Sequence, residues 1–240
     1  MPITDLAPAP QKYRAHRQRQ RRRILDAAER LFDAHGIGRV TMAEITSASG
    51  LRASTMYQYF SNKDDIVWAI VGEVLAELAA EAHEAIKPAR TALDKITALL
   101  DILAGTLAND PAKVRFMAQF DAMYARDWPA ERLLTLEAQL NPMGSSYFAA
   151  LVREGIADGS LRPNLDPDLT MHAVINAVIG AQRRLASLGR RVEAEYGQPV
   201  DRLFRETVRV ILLGLRATEN EAAQVGTPGR HATKRKSKSR

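Results

Sequence analysis

Apolar residues recur along this chain with the spacing expected of α-helices. The first periodic stretch places five of them on one helical face, at Ile24, Ala27, Ala28, Leu31 and Phe32. Gly36 then interrupts the pattern, as glycine commonly does just beyond the end of a helix. The sequence has neither strand-like alternation nor a hairpin signal, and it therefore predicts an all-α protein.

Two short helices are predicted after this first helix. Thr41 followed by Glu44 forms a capping box, in which each side chain bonds the backbone amide of the other residue. Gly50 ends this helix, and a second one is expected from about Ala53 to Phe60. Two short helices joined by a tight, glycine-containing turn are typical of a helix-turn-helix.

The rest of the chain continues the helical periodicity. A long helix is predicted from Lys63 to Ile86, and Pro88 closes it. Asp166 before Pro167 marks the capped start of another helix. The remaining helices are expected at about 90–108, 111–126, 129–141, 143–158, 167–190 and 199–217. The predicted fold is an N-terminal three-helix unit followed by a larger helical unit, with about nine or ten helices in all.

The charges are distributed unevenly along the chain. The net charge is +6 at pH 7 over 240 residues. Residues 1–63 carry 11 Lys and Arg against 5 Asp and Glu, and residues 226–240 carry 6 basic residues and no acidic one. Basic ends on an acidic body indicate a polyanionic partner. For the C-terminal tail, improved solubility alone is the alternative explanation.

Basic residues are densest just before the first apolar stretch. They are Lys12, Arg14, Arg17, Arg19, Arg21, Arg22 and Arg23. Such a density suits contact with DNA phosphates or entry into a narrow minor groove. A solvated helix face and a flexible tail are the alternative. We expect some of these side chains to contact DNA, with Arg19 and Arg21 as candidates.

Patterns that would indicate catalysis, metal binding or a membrane span are missing from the sequence. The chain has no cysteine, which excludes disulfides, cysteine-based zinc sites and a cysteine nucleophile. Its five histidines lack a paired metal-binding spacing, and there is no glycine-rich phosphate loop. No apolar run approaches the roughly 18 residues that a membrane helix needs. We therefore expect a cytoplasmic protein that is not an enzyme and has no cofactor, metal or membrane partner.

The second short helix of the helix-turn-helix has two chemically different faces. Met56 and Phe60 share an apolar face that can pack on the first helix. The polar residues of the segment are Arg52, Ser54, Thr55, Tyr57, Gln58, Tyr59 and Lys63. Tyrosine hydroxyls and a lysine can reach phosphates, whereas arginine and glutamine can read guanine and adenine edges. The alternative is that both tyrosines are half-buried core residues.

These residues together resemble the N-terminal domain of TetR/AcrR-type regulators over residues 20–70. The shared features are Ile24-Leu25-Asp26-Ala27-Ala28, Leu31-Phe32, Gly36, Thr41-Met42-Ala43-Glu44-Ile45, Ala48, Gly50-Leu51, Tyr57-Gln58-Tyr59-Phe60 and Lys63. The resemblance implies that Thr41 and Met42 place the second helix on phosphate, and that the polar residues above lie at the DNA surface. Arg52 departs from the Ser or Thr common in the family, and Ser54 departs from Gly or Ala.

The resemblance also implies how the chain is divided and how it dimerises. The expected parts are a flexible basic arm (1–19), a DNA-binding domain (20–65), an effector-binding and dimerisation domain (66–217) and a disordered basic tail (218–240). The helices at 167–190 and 199–217 would pair in a homodimer, and packing within one chain is the alternative. Their proposed contact residues are Ala173, Ala177, Gly180, Ala181, Leu203, Val210, Leu213 and Leu215.

The family resemblance implies an effector pocket, for which we consider the middle helices, where Met and aromatic residues are frequent. The candidates are Met117, Phe120, Met123, Tyr124, Trp128, Met143, Tyr147 and Phe148. Such side chains line adaptable apolar pockets, although they also fill ordinary cores. The expected function is a ligand-responsive repressor that binds a palindromic DNA operator as a dimer and is released by a small, mainly apolar effector. An activator of the same fold is one alternative, and a small-molecule carrier or enzyme with a vestigial helix-turn-helix is the other.

Overall fold

The computed structural model describes residues 11–140 and 146–221, and this part of the chain is almost entirely helical. Its elements are α1 (Gln11–His35), α2 (Met42–Ser49), α3 (Ala53–Met56), α4 (Lys63–Ala85), α5 (Ala92–Asn109), α6 (Pro111–Tyr124), α7 (Ala130–Leu140), α8 (Ser146–Asp158), α9 (Pro167–Leu188), α10 (Arg190–Tyr196) and α11 (Val200–Leu215). Within these residues the only β pairing is one isolated bridge between Leu161 and Arg216. The all-α prediction is confirmed.

Several elements differ from the sequence-based boundaries. Helix α1 begins at Gln11, so residues 11–19 are helical and the flexible arm expected there is wrong. Regular α3 ends at Met56, and the following residues continue as tight turns up to Phe60, whose amide donates to the Met56 carbonyl at 3.1 Å. Helix α10 was not predicted, because its 7 residues are too few to show a helical period.

The first three helices and the start of α4 enclose one hydrophobic core, which we call the head core. Its fully buried members include Ile24, Phe32, Ile45 and Met56. The apolar periodicity selected three of these positions, Ile24, Phe32 and Met56. The head core also takes in Phe116 and Phe120 of α6, which the sequence pattern did not connect to it. The N-terminal unit, which is the candidate for DNA binding, therefore shares its core with α6 of the larger unit.

A second core lies among α5, α8, α9 and α11, and we call it the body core. Val152, Val178 and Phe204 are fully buried there. The predicted cap of α9 is present, since the Asp166 carboxylate accepts the Leu169 amide at 2.9 Å. Helix α6 contributes Val114 to the body core and Phe116 and Phe120 to the head core. Helix α4 belongs to the head core and packs on α5 of the body, so both helices connect the head to the body.

Candidate nucleic-acid interface

The start of α2 is fixed by side-chain hydrogen bonds, and its end is fixed by a glycine turn. The Thr41 amide donates to the Glu44 carboxylate at 2.7 Å, and the Glu44 amide donates back to the Thr41 hydroxyl at 3.3 Å. The bonds from Thr41 hold the pKa of the Glu44 carboxyl below its usual value. At the other end, Gly50 adopts φ 65°, a left-handed conformation that suits glycine. The predicted capping box and glycine turn are therefore confirmed.

The segment from Arg52 to Phe60 presents a polar face to solvent. Met56 is fully buried and Phe60 is 6% exposed, which anchors the segment on the head core. Ser54, Tyr57 and Gln58 are exposed on the other side, and the exposed fraction of Tyr57 is 59%. A helix-sized ridge with buried anchors and exposed polar side chains has the form needed for a DNA groove.

The remaining predicted residues around this ridge occupy different positions. Arg52 is exposed at the N-cap of α3 and makes no side-chain cap bond, which fits its departure from the usual Ser or Thr. Thr41 is also exposed, whereas Met42 and Thr55 are half-buried. These residues surround the start of α2 and of α3, the two helix ends on this face.

The two tyrosines of the segment have different environments. Tyr57 extends into solvent, but Tyr59 is half-buried against the head core. The Arg17 guanidinium lies over the Tyr59 ring, 5.7 Å from its centroid. Such a cation–π contact holds the two side chains together and lies beside the exposed ridge. The half-buried alternative thus describes Tyr59 and not Tyr57.

Lys63 points away from the exposed ridge. Its ammonium group donates to the carbonyl oxygens of Ile37 at 2.7 Å and of Val40 at 2.9 Å. Those carbonyls belong to the turn between α1 and α2. We expected Lys63 to contact a DNA phosphate. The geometry does not support that role, because the ammonium group already donates its hydrogen bonds to backbone carbonyls within the head.

Several of the N-terminal arginines are likewise bound within the chain. Arg21 contacts Glu73 at 2.5 Å, and Arg22 contacts Glu73 at 2.6 Å and Glu29 at 2.9 Å. The Arg23 guanidinium donates to the Ser49 carbonyl at 2.8 Å. Arg21 was a DNA-contact candidate, and this ion pair places it against α4 instead. The second candidate, Arg19, is exposed.

The predicted pocket residues are divided between two places. The ring centroids of Tyr124 and Trp128 lie 4.8 and 6.4 Å from that of Phe120, so these three are together. Phe120 is buried in the head core, where Met117 and Tyr124 pack at its edge. Tyr147 and Phe148 pack instead against the body core. Met123 and Trp128 are 39% and 51% exposed. Met143 lies outside the described residues. The expectation of one shared pocket for this set is therefore wrong.

A cavity of about 110 Å³ lies elsewhere, between α4, α5, α6 and α9. Its lining is Val74, Leu75, Glu77, Leu78, Glu81, Leu103, Thr106, Lys113, Val114, Met117, Ile179, Gln182 and Arg183. Among the predicted pocket residues only Met117 is in this lining. Lys113 pairs with Glu77 at 2.8 Å, and Arg183 pairs with Asp121 of α6. Burial lowers the pKa of Arg183 to about 10, so the group stays cationic at neutral pH.

The outer sides of α9 and α11 carry the predicted dimer residues. Ala173, Ala177 and Gly180 are exposed along α9. On α11, Val210 and Leu213 are 55% and 49% exposed, which is high for apolar side chains. Leu215, also predicted at the interface, is 5% exposed and belongs to the body core, so that assignment is wrong.

Other kinds of site were sought in the same residues. Across 11–140 and 146–221, no group of three or more metal-ligating side chains could hold an ion. No described helix is long and apolar enough to cross a membrane.

Comparisons with known proteins agree with this geometry. The family model for bacterial regulatory proteins of the tetR family matches residues 24–70. The "HTH-type transcriptional repressor KstR2" of Mycolicibacterium smegmatis is 25% identical over 62% of this chain and 71% of its own length. The "Fatty acid metabolism regulator protein" of Bacillus subtilis is 24% identical over 65% of this chain and 77% of its own.

Solved structures match nearly the whole described fold. The ketosteroid transcriptional regulator KstR2 of Mycobacterium tuberculosis aligns with a TM-score of 0.63, covering 83% of this chain and 96% of that one. The sequence identity in that alignment is 19%, so the likeness is one of fold. Residues 24–70 thus match the tetR family of bacterial regulatory proteins, and the described chain shares the fold of solved transcriptional regulators.

Proposed function

We propose that this protein is a repressor that binds a palindromic operator as a homodimer and releases it when a small, mainly apolar ligand binds. The observation that carries the proposal is the ridge at residues 52–60, whose apolar side is buried and whose polar side is exposed. We propose that it acts on DNA in the cytoplasm and catalyses no reaction.

The side chains of the ridge suit two different kinds of DNA contact, with phosphates and with base edges. Tyr57 is the most exposed aromatic residue of the head, and its hydroxyl can donate to a phosphate oxygen without reading sequence. Arg52 and Gln58 carry the donors and acceptors that suit guanine and adenine edges in the major groove. Ser54 is small enough to permit close approach of the backbone. We therefore assign base recognition to Arg52 and Gln58, and positioning to Tyr57.

A dimer through α9 and α11 would present two such ridges. The exposed small residues of α9 allow close helix approach, and exposed Val210 and Leu213 of α11 supply apolar area to bury. Two-fold symmetry would place the ridges about 34–36 Å apart, which is one turn of DNA. The operator would then consist of two inverted half-sites.

The cavity between α4, α5, α6 and α9 is the proposed ligand site. Its volume of about 110 Å³ is well below the roughly 300–1,000 Å³ of typical ligand pockets. A ligand must therefore widen the cavity, and its binding energy would favour a state in which these helices have moved. The apolar part of the lining favours an apolar body. An acidic group of the ligand would have to replace Glu77 or Asp121 as the partner of Lys113 or Arg183. The name of the Bacillus subtilis relative concerns fatty acid metabolism, the solved Mycobacterium tuberculosis structure is of a ketosteroid regulator, and both compound classes are largely apolar.

The two helices that connect head and body can transmit this movement. Met117 lines the cavity, while Phe116, the next residue on α6, stacks on Phe32 of α1 with ring centroids 6.1 Å apart. Displacement of α6 would therefore shift the head, and the spacing between the two ridges would change. By linkage, operator DNA must weaken ligand binding by the factor with which ligand weakens DNA binding.

Selection from a randomised duplex pool tests the DNA part of the proposal. The purified protein should enrich an inverted repeat with half-site centres about 10 base pairs apart. Tyr57→Ala should weaken binding to the enriched sequence by about tenfold, or roughly 1.4 kcal/mol, with an unchanged oligomeric state. Tyr57→Phe is the matched control for loss of the hydroxyl alone. If the folded dimer enriches no sequence, the proposal fails.

The ligand part is tested with dodecanoic acid, which combines an apolar chain with one carboxylate. It should raise the melting temperature of the free protein and weaken operator binding. Met117→Trp, which adds bulk to the cavity, should reduce both effects. Equal dodecanoate affinity with and without operator would contradict the coupling.

A further inference from the structure

The first turns of α1 form a basic helix that projects beyond the head core. Residues 11–20 contain Lys12, Arg14, Arg17 and Arg19 and no acidic residue. We propose that this helix is a second DNA contact, which binds backbone phosphates beside the recognition ridge and reads no sequence. The inference rests on the proposed DNA-binding function.

The arginines between Arg14 and Arg23 of α1 fall into two groups with different roles. Arg21 and Arg22 form ion pairs with Glu73, and Arg23 holds the Ser49 carbonyl. These contacts bind the helix to the rest of the head. Arg14, Arg17 and Arg19 are exposed, so their guanidinium groups remain accessible to an external anion. The contacts of Arg21, Arg22 and Arg23 thus fix the position of α1, and with it the position of the exposed arginines.

Contacts on two sides place this helix next to the ridge. The Arg17 guanidinium lies 5.7 Å from the centre of the Tyr59 ring, one residue from Gln58. On another side of α1, Arg23 contacts Ser49, which directly precedes the turn into α3. Arg19 lies one helical turn before Arg23 and so shares its side. The exposed arginines therefore lie near the surface that faces DNA.

Helical structure decides between the two modes of contact that the sequence left open. An α-helix with its side chains is about 10–12 Å across, whereas the minor groove of B-DNA is only about 6 Å wide. The helix cannot enter that groove as an extended chain could. Its arginines can reach the phosphates along the groove edge, which carry no base identity.

Phosphate contacts make a specific thermodynamic prediction. Each neutralised phosphate adds about 0.9 to the slope of log affinity against log salt concentration. Arg14, Arg17 and Arg19 could together contribute up to about 3 per protomer, and the dimer could double that value. Their loss should weaken binding to all duplexes alike and leave the preference between sequences unchanged.

The experiment measures the affinity for a duplex of about 30 base pairs, or about three helical turns, over a series of salt concentrations. The triple variant R14A/R17A/R19A should show a salt slope smaller by at least about 2. The matched control, K87A/R90A/R153A, removes three exposed positive charges, two from the segment between α4 and α5 and one from α8. Its slope should equal that of the wild type.

Other results of this experiment would contradict either the inference or the proposed function. An unchanged slope in R14A/R17A/R19A would overturn the inference, and so would an equal loss in the control, which would reflect net charge alone. Loss of a preference for A-tract duplexes in R14A/R17A/R19A would indicate minor-groove entry and would also overturn it. If the wild type bound no duplex, the proposed function itself would fail. Alanine favours helix, so the variants should keep α1 folded.

Discussion

The side chains of Gln119 and Lys63 both form hydrogen bonds with the backbone of Ile37, in the turn between α1 and α2. The Ile37 amide donates to the Gln119 side-chain oxygen at 2.7 Å, and the Ile37 carbonyl accepts from the Lys63 ammonium at 2.7 Å. Gln119 belongs to α6 and Lys63 to α4, the two helices that connect the head to the body. The turn that leads into α2 is therefore fixed by the helices that line the cavity.

Lys63→Met should lower the free energy of unfolding and leave the salt dependence of DNA binding unchanged. The substitution keeps the apolar stem but leaves the Ile37 and Val40 carbonyls without their cationic donor. Hydrogen bonds to charged groups contribute about 1.5–3 kcal/mol, and we expect the free energy of unfolding in urea to fall by a similar amount. Lys87→Met, at an exposed lysine, is the control and should have little effect. A smaller salt slope of DNA binding in Lys63→Met would restore the phosphate role predicted from sequence.

Gly180→Arg should separate the proposed dimer into monomers. A Cβ atom at this exposed position of α9 would meet nothing within 4 Å in the isolated protomer, and the longer side chain can extend into solvent. At a close helix-helix contact, the same side chain would introduce both bulk and charge. Sedimentation should then give a mass near 26.5 kDa. Ala150→Arg on the exposed side of α8 is the control, and a dimer that persists in Gly180→Arg would exclude this interface.

Gly155→Ala should destabilise the body core. A Cβ atom at this position would lie 2.4 Å from Cγ of Leu161, which is 1% exposed and has little room to move. Overpacking of this kind costs about 1–3 kcal/mol. Gly105→Ala on α5 provides the opposite case, because its Cβ would meet nothing within 4 Å. There we expect a gain of about 0.5–1 kcal/mol in urea unfolding.

Tyr124→Phe should change how stability depends on alkaline pH. Burial, together with the Asp64 carboxylate, raises the pKa of Tyr124 to about 12. The unfolded chain loses this proton near pH 10, whereas the folded chain retains it to about pH 12. The stabilisation by Tyr124 is therefore complete below pH 10 and is lost as pH rises through 12. Melting temperatures between these values should fall less steeply in the variant, and identical slopes would contradict the shift.

Local patterns were sufficient for much of the head. Apolar spacing identified Ile24 and Phe32 as core residues, and neighbouring residues supplied the caps at Thr41 and Asp166. These features depend on interactions across three or four positions, which a sequence displays directly. The shortness of α3 was harder to predict, because turns with helix-like bonds continue its pattern up to Phe60.

Contacts between distant residues could not be predicted in this way. The residues next to Lys63 in the sequence are polar, as at many exposed positions. Only the folded chain shows that Lys63 contacts Ile37. Arg21 pairs with Glu73, which lies 52 positions away. The pocket prediction failed for a related reason: Phe120 and Phe148 both signal burial, but composition does not tell which core receives each one.

Trp68 gives the protein an internal optical reporter. Its ring is 7% exposed, and its indole N–H donates to the Tyr124 hydroxyl at 3.1 Å, where α6 meets the start of α4. The only other tryptophan in the chain, Trp128, is 51% exposed. Replacing Trp128 by phenylalanine would leave one fluorophore at the junction of head and body. Its emission could then follow, in real time and without an attached dye, each movement that separates these two parts.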